Sequence, residues 1–117
     1  MDFQTSIRTV LSKYATFKGR ASRSEFWWFA LFVVIVNVVT SMIDSAIFGV
    51  SILNLISSLG LLLPQLAVGV RRLHDIDRSG WWLLIALIPV IGWIVLIYFN
   101  VQPSQQGANR FGPQPTA

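Results

Sequence analysis

Cysteine is absent from this 117-residue chain and histidine occurs once. The first absence removes disulfides, thiolate nucleophiles and cysteine-based zinc or iron–sulfur sites, and it leaves the redox compartment open. A single histidine makes a poor metal site, so no metal and no other cofactor is expected. Charge is scarce too, at 12% of residues, against roughly 25% in a soluble domain. Paired carboxylates at acid/base spacing, a glycine-rich phosphate loop and a histidine-rich metal box are all missing.

What is present is apolar. Hydrophobic residues make up 54% of the chain, with five Trp and eight Phe, and the mean hydropathy is +0.62. A soluble protein this short buries about two thirds of its surface, so much of this material would face water. The composition excludes a disordered tail, a coiled coil and an ordinary water-soluble enzyme. A bilayer is the solvent that fits.

Three runs carry this apolar material. Phe26 to Ile43 has no charge, with only Asn37, Thr40 and Ser41 as polar interruptions. At 1.5 Å per residue it covers about 27 Å, close to the hydrocarbon thickness. Val50 to Val70 is equally uncharged but holds Asn54, Ser57, Ser58, Gly60, Pro64 and Gln65. Trp81 to Val101 opens on Trp81 and Trp82 and has Tyr98 near its exit, where amphipathic rings favour the headgroup level. Each run predicts a transmembrane helix, because hydrocarbon offers no partner to an unpaired backbone group. None alternates in polarity as a barrel strand does. Pro64 and Pro89 predict kinks. The first run is too long and too far from the N-terminus for a cleaved signal peptide, and is expected to be retained.

The expected fold class is all-α and integral to the membrane: three transmembrane helices preceded by a short interfacial amphipathic helix. Residues 1–25 hold that helix and a basic turn, 26–101 the transmembrane domain with a basic connection at 71–80, and 102–117 a tail rich in Pro, Gly and Gln. Arg8, Lys13, Lys18, Arg20 and Arg23 precede the first run, Arg71, Arg72 and Arg78 lie between the second and third, and only Arg110 follows. Positive loops stay inside, so the N-terminus is expected in the cytoplasm and the C-terminus outside. Topology and attraction to anionic lipid also explain the sequence pI near 10.4. No nucleic-acid partner is expected.

Phe3, Ile7, Val10, Leu11 and Tyr14 recur on one face at helical spacing. This predicts an amphipathic helix lying in the cytoplasmic interface or docked on a partner. Ser22 and Glu25 fit a capping box, which gives Glu25 a structural role, with a catalytic carboxylate as the alternative. Along a helix running past Val70, Arg71 and Asp75 are four apart and Arg72 and Asp75 three apart, within pairing reach. Ser79 is a candidate cap for the third helix.

Arg20, Arg23, Arg71, Arg72, His74 and Asp75 form the candidate site. Arg suits bidentate phosphate contacts and His can move a proton, which points to an anionic lipid headgroup. The structural alternative is a salt-bridge cluster that fixes a hairpin. Asn37, Asn54, Ser57, Ser58 and Gln65 are costly in hydrocarbon unless paired, and are expected to face other helices. The tail should form turns, with Asn109 to Pro113 folding back through Phe111 onto the membrane surface.

Three segments, FKGRASRSEFWWF from Phe17, RRLHDIDRSGWW from Arg71 and GANRFGPQP from Gly107, resemble in order and spacing the signatures of domain-of-unknown-function family 805. Gly19, Arg20, Arg23, Phe26, Trp27, Arg71, Arg72, His74, Asp75, Ser79, Gly80, Trp81, Trp82, Asn109, Phe111, Gly112 and Pro113 match those motifs. The resemblance implies a small bacterial inner-membrane protein of several helices, and no activity, substrate or cofactor. Three functions remain in view: a structural or accessory component acting by homo-oligomerisation or with a membrane-protein partner, a headgroup binder using the Arg/His/Asp cluster, and an oligomeric pore using Asn37, Asn54 and Gln65. An enzyme is the less expected outcome.

Overall fold

Short polar side chains start the first two helices. The Asp2 carboxylate accepts from the Thr5 amide at 2.7 Å and caps α1, Phe3–Ser12. Hydrogen bonding from the Thr5 side chain, and after it from the Thr5 amide, holds the Asp2 carboxyl below the ordinary carboxylate range. Ser22 Oγ accepts from the Glu25 amide at 3.2 Å and caps α2, Arg23–Ile43. The structure, a computed structural model, describes residues 2–115.

α2 runs on into a π-helical stretch, Asp44–Phe48, and stops at Gly49, whose φ of +67° a side chain would strain. Asp44 is buried, and its two carboxylate oxygens accept from the Leu53 and Asn54 amides, both at 2.9 Å. The residue that follows the first apolar run thus caps the next helix, α3, Ile52–Asp75. α2 and α3 form an antiparallel hairpin. Asn54 Nδ2 reaches Thr40 Oγ1 at 3.1 Å, Ser41 Oγ at 3.3 Å and Asn37 Oδ1 at 3.5 Å, which joins the helices through polar groups as expected. The two serines differ from expectation. Ser57 bonds back to the Asn54 carbonyl, and Ser58 is exposed.

α1 docks on its own chain. Val10 is fully buried with Ala21, Phe29 and Val68, and Ile7, Phe26 and Leu61 pack around them. Phe3 meets Trp28 edge-on at 5.7 Å, and the Tyr14 hydroxyl donates to the Gly60 carbonyl. The amphipathic face read from the sequence therefore lies against α2 and α3. Leu11 and Tyr14 keep about 40% exposure each, so the stripe is only partly covered.

The third apolar run departs from the expected transmembrane helix. Ser79 caps a 3-10 helix, Gly80–Leu87, the chain turns at residues 88–90, and α4, Ile91–Val101, runs back alongside. Pro89 explains the break: it has no N–H to donate and pushes the preceding residue out of helical geometry. Ile88 is accordingly extended, at φ −92° and ψ 107°. Val90 takes φ +67°, a strained value for a β-branched residue. A Cβ on Gly92 would overlap the Ile85 carbonyl, so only glycine lets the two arms meet. α4 has 11 residues, a rise of about 16 Å, roughly half a hydrocarbon core. Pro64, by contrast, is accommodated inside a continuous α3. Two helices, Arg23–Phe48 and Ile52–Asp75, are long and apolar enough to cross a membrane.

This fold-back also corrects the expected position of the tail. Residues 102–115 lie against the same end of the α2–α3 hairpin as the N-terminal basic turn, where an uninterrupted third crossing would have carried them to the opposite end.

Candidate functional site

α2 begins, α3 ends and α4 ends at one level, and there the three motif segments meet. The Arg20 guanidinium is the hub. Its Nε donates to Asp75 Oδ1 at 3.0 Å, its Nη1 to the Gly107 and Gly112 carbonyls at 2.6 and 3.2 Å, and its Nη2 to the Asp75 and Gln105 carbonyls at 3.3 and 2.5 Å. Gly107 and Gly112 have φ of +71° and +135°, which turn their carbonyls inward at a place where side chains would be strained.

Arg72 takes the other Asp75 oxygen at 2.8 Å and donates to the Asn100 carbonyl at 3.3 Å and to the Gln102 carbonyl. Arg71 turns away from Asp75. Its Nη1 is held by both Glu25 oxygens at 3.2 Å and its Nε donates to the Thr16 carbonyl at 3.1 Å. The expected Arg72–Asp75 pair is present, and the expected Arg71–Asp75 pair is replaced by Arg71–Glu25. Glu25 thus contributes its amide to the cap and its carboxylate to a buried ion pair. Sequence reasoning missed that partner, although Glu25 was, with Asp77, one of the other carboxylates available at this end.

His74 Nδ1 is 2.9 Å from the Gly19 carbonyl, its ring stacks on Phe111, and its own carbonyl accepts from Asn109 Nδ2 at 3.0 Å. The tail does fold back through Phe111, onto His74. Arg23 stands apart, exposed, with Nη1 on the Val101 carbonyl at 3.0 Å. Arg110 pairs with Asp77 at the surface at 3.0 Å, and Arg78 lies 4.9 Å from the Phe99 ring centroid.

The structure therefore brings together Arg20, Arg71, Arg72, His74 and Asp75, adds Glu25, and leaves Arg23 outside. Arg71, Arg72 and Asp75 are fully buried. Three cations face two carboxylates, and tail carbonyls take most of the remaining donors. Only Arg71 Nη2 and Arg72 Nε lack a partner within the cluster. Such an arrangement joins segments; the groups that would grip a free anion are already held by one another. No group of three or more metal-ligating side chains occurs among the described residues.

Two clefts flank the junction. One, of about 330 Å³, lies between Thr9, Lys13, Arg20, Glu25 and the tail at Pro113 and Gln114. The other, of about 310 Å³, is lined by Arg23, Ser24, Ser104 and Gln106. Asn37 and Asn54 lie far along the hairpin, paired with each other, whereas Gln65 lines an apolar cleft between the helices.

Comparison with known proteins gives a consistent picture. The family described as "Protein of unknown function (DUF805)" matches residues 14–113. Inner membrane protein YhaH of Escherichia coli (strain K12) is 46% identical over 111 residues, covering 91% of this chain and 92% of the relative. Inner membrane protein YhaI of the same strain is 42% identical over 109 residues, covering 92% of each. Uncharacterized protein YiiR is 34% identical over 97 residues, covering 75% of this chain and 58% of its own length. No solved structure matches the chain.

Proposed function

This chain belongs to the DUF805 family, with inner-membrane proteins among its relatives, and from that premise we propose that it acts as a small structural or accessory component of the inner membrane, by self-association or within a larger membrane complex. One observation carries the reading. The charged cluster is spent on holding the chain together, while only 6% of the residues in the most apolar stretch of α2 with its π extension are buried by the rest of the molecule. Lipid and protein partners are what remain to cover it. The basic end, with α1 and the tail up to residue 115, faces the cytoplasm on this reading. Arg110 joins the other basic residues there, so that all nine lie at one end, as the positive-inside bias favours.

Disulfide trapping tests the proposal. Met42 is 66% exposed on α2, and the chain has no cysteine of its own. Met42→Cys oxidised in native membranes should give a dimer or an adduct with another membrane protein, and native mass spectrometry in mild detergent should show the same species. A strictly monomeric, partner-free chain in both measurements overturns it.

A second reading rests on the two polar clefts, where Lys13 and Arg23 stand outside the buried ion pairs. Binding of anionic headgroups there would leave phosphatidylglycerol on the protein in native mass spectrometry. Loss of those adducts in the Lys13→Ala/Arg23→Ala double variant supports headgroup binding; unchanged adducts remove these residues as its site.

A further inference from the structure

Arg78 is exposed, and the junction does not neutralise it. The chain leaves α3 through Asp77, at φ +59°, and the Arg78 amide donates to the Leu73 carbonyl at 2.8 Å, which fixes the root of the side chain. The guanidinium lies 4.9 Å from the ring centroid of Phe99 and 5.5 Å from that of Trp82, and the two rings meet each other edge-on. Cation–π attraction holds the planar group in place and uses up none of its N–H donors. Among the described residues those donors have no oxygen acceptor. Arg20, Arg23, Arg71, Arg72 and Arg110 all have one.

Arg78 lines a cleft of about 390 Å³ between the end of α3, the end of α4 and the tail, a size within the roughly 300–1,000 Å³ typical of small-molecule sites. Ile76 and Phe99 give it apolar walls, and Tyr98, Ser104 and Gln105 add neutral polar groups. The Tyr98 and Ser104 hydroxyls have no hydrogen-bond partner among the described residues. No carboxylate occurs in the lining. The tail wall is set beforehand by the junction, since the Gln105 amide donates to the Asp75 carbonyl at 3.1 Å and its carbonyl accepts from Arg20.

We propose that this cleft binds the phosphate of an anionic glycerophospholipid, with Arg78 as the cation that holds it. A phosphate has oxygens for the guanidinium fork and for the two hydroxyls together, whereas the fork alone occupies both oxygens of a carboxylate. Phosphatidylethanolamine would bring an ammonium for which the lining has no carboxylate. The rings that hold Arg78 belong to the third apolar run, and Arg78 itself stands three residues past the membrane-crossing helix that ends at Asp75. That places the cation at the edge of the hydrocarbon, where lipid phosphates lie. A soluble glycerol phosphate offers the same chemical group, so the test separates the two sources. The inference stands on this cleft and does not depend on self-association.

The test uses the full chain in phosphatidylethanolamine nanodiscs that contain a photoactivatable phosphatidylglycerol, with adducts mapped by mass spectrometry. Adducts are expected on Ile76, Tyr98, Phe99 and Gln102, none of which lines the clefts at Lys13 and Arg23. Half-maximal labelling of these residues should need at least about tenfold more lipid in Arg78→Ala, the equivalent of about 1.4 kcal/mol. Arg78→Lys keeps the charge but loses the fork, and should weaken labelling about threefold or more. Arg8→Ala removes the same charge from an exposed position on α1, and should leave these adducts unchanged. Unlabelled phosphatidylglycerol and soluble glycerol phosphate serve as separate competitors. Displacement by the lipid at the lower concentration supports the proposal; displacement by the soluble ester at the lower concentration gives the site to that ester and overturns the lipid. Equal losses in Arg78→Ala and Arg8→Ala, wild-type labelling in Arg78→Lys, or adducts lying only outside the cleft would mark general attraction to a charged surface and overturn it too. Should Arg78→Ala lose helix content, Arg78→Lys and the competitors decide the matter.

Discussion

The imidazole of His74 lies flat on the ring of Phe111, the centroids 3.9 Å apart and the planes 1° from parallel. With His74 Nδ1 at the Gly19 carbonyl, one side chain at the end of α3 touches both the turn before α2 and the tail after α4. The tail's own geometry supports the stack: the Phe111 amide donates to Asn109 Oδ1 at 2.8 Å, and Asn109 and Gly112 exchange backbone hydrogen bonds at 3.0 and 3.1 Å.

Phe111→Ala should therefore free the tail while leaving the helices folded. An aromatic pair with its buried area is worth about 1–2 kcal/mol, which raises the detached population roughly 5- to 30-fold. Limited trypsin digestion reads this as faster cleavage after Arg110, with Phe111→Tyr close to wild type. An unchanged cleavage rate in Phe111→Ala would show that the stack does not hold the tail.

Asp75 is the partner of both Arg20 and Arg72, with each ion pair fully buried or nearly so. Asp75→Asn leaves two buried guanidinium groups without a counter-charge, and breaking a buried pair costs about 3–5 kcal/mol. Asp77→Asn removes only the exposed pair with Arg110, which is worth about 0–1 kcal/mol. Thermal unfolding in detergent should show a large drop for the first variant and little for the second. Equal effects would mean that the junction is solvated.

How far the sequence foretold this site depends on the range of the interaction. Periodicity and caps are local, so α1, the Ser22 cap and the apolar hairpin were legible from residue types alone. The Arg72–Asp75 pair was legible for the same reason, being three apart on one helix. The Arg71–Glu25 pair spans 46 positions and the Arg20 bonds to the tail 85 to 92. Nothing in one sequence fixes such pairings. The resemblance of motifs named most of the residues that meet at the junction without saying that they meet. The third run misled for a specific reason: hydropathy averages over a window, whereas Pro89 and the close approach at Gly92 act at single positions. Gly92 did carry a signal, a glycine three residues after a proline in an otherwise bulky run.

Glu25 and Arg71 should behave as one unit. Glu25→Leu alone strands the Arg71 cation, and Arg71→Met alone strands the Glu25 carboxylate. The double variant removes both charges and keeps the volume, so it should be more stable than either single variant. A double-mutant cycle should give a coupling of about 1–3 kcal/mol. Additive losses would place the two groups in water.

Gly92→Ala should be far more damaging than Gly60→Ala. A Cβ at Gly92 meets the Ile85 backbone, which cannot yield without opening the turn, whereas at Gly60 it meets open space. The expected result is a clear loss of thermal stability for the first and neutral or slightly raised stability for the second, since alanine favours helix over glycine by about 1 kcal/mol. Similar behaviour of the two variants would argue against the close approach of the 3-10 helix and α4.

The fold-back makes a topological prediction that a third crossing reverses. If the third run enters and leaves by one face, Gln4 and Gln106 lie on the same side of the membrane, and Ser51, in the connection between α2 and α3, on the other. All three are exposed, and the chain carries no cysteine that would confuse the assay. Single cysteines at the three positions should react with a membrane-impermeant maleimide in two classes, 4 with 106 and 51 alone. In intact spheroplasts position 51 should label first, and 4 and 106 only after permeabilisation, because the nine basic residues favour the cytoplasm. Labelling of 106 together with 51 would restore an uninterrupted crossing from Trp81 to Val101, and the contacts of Arg20 with the tail could not then form in the membrane.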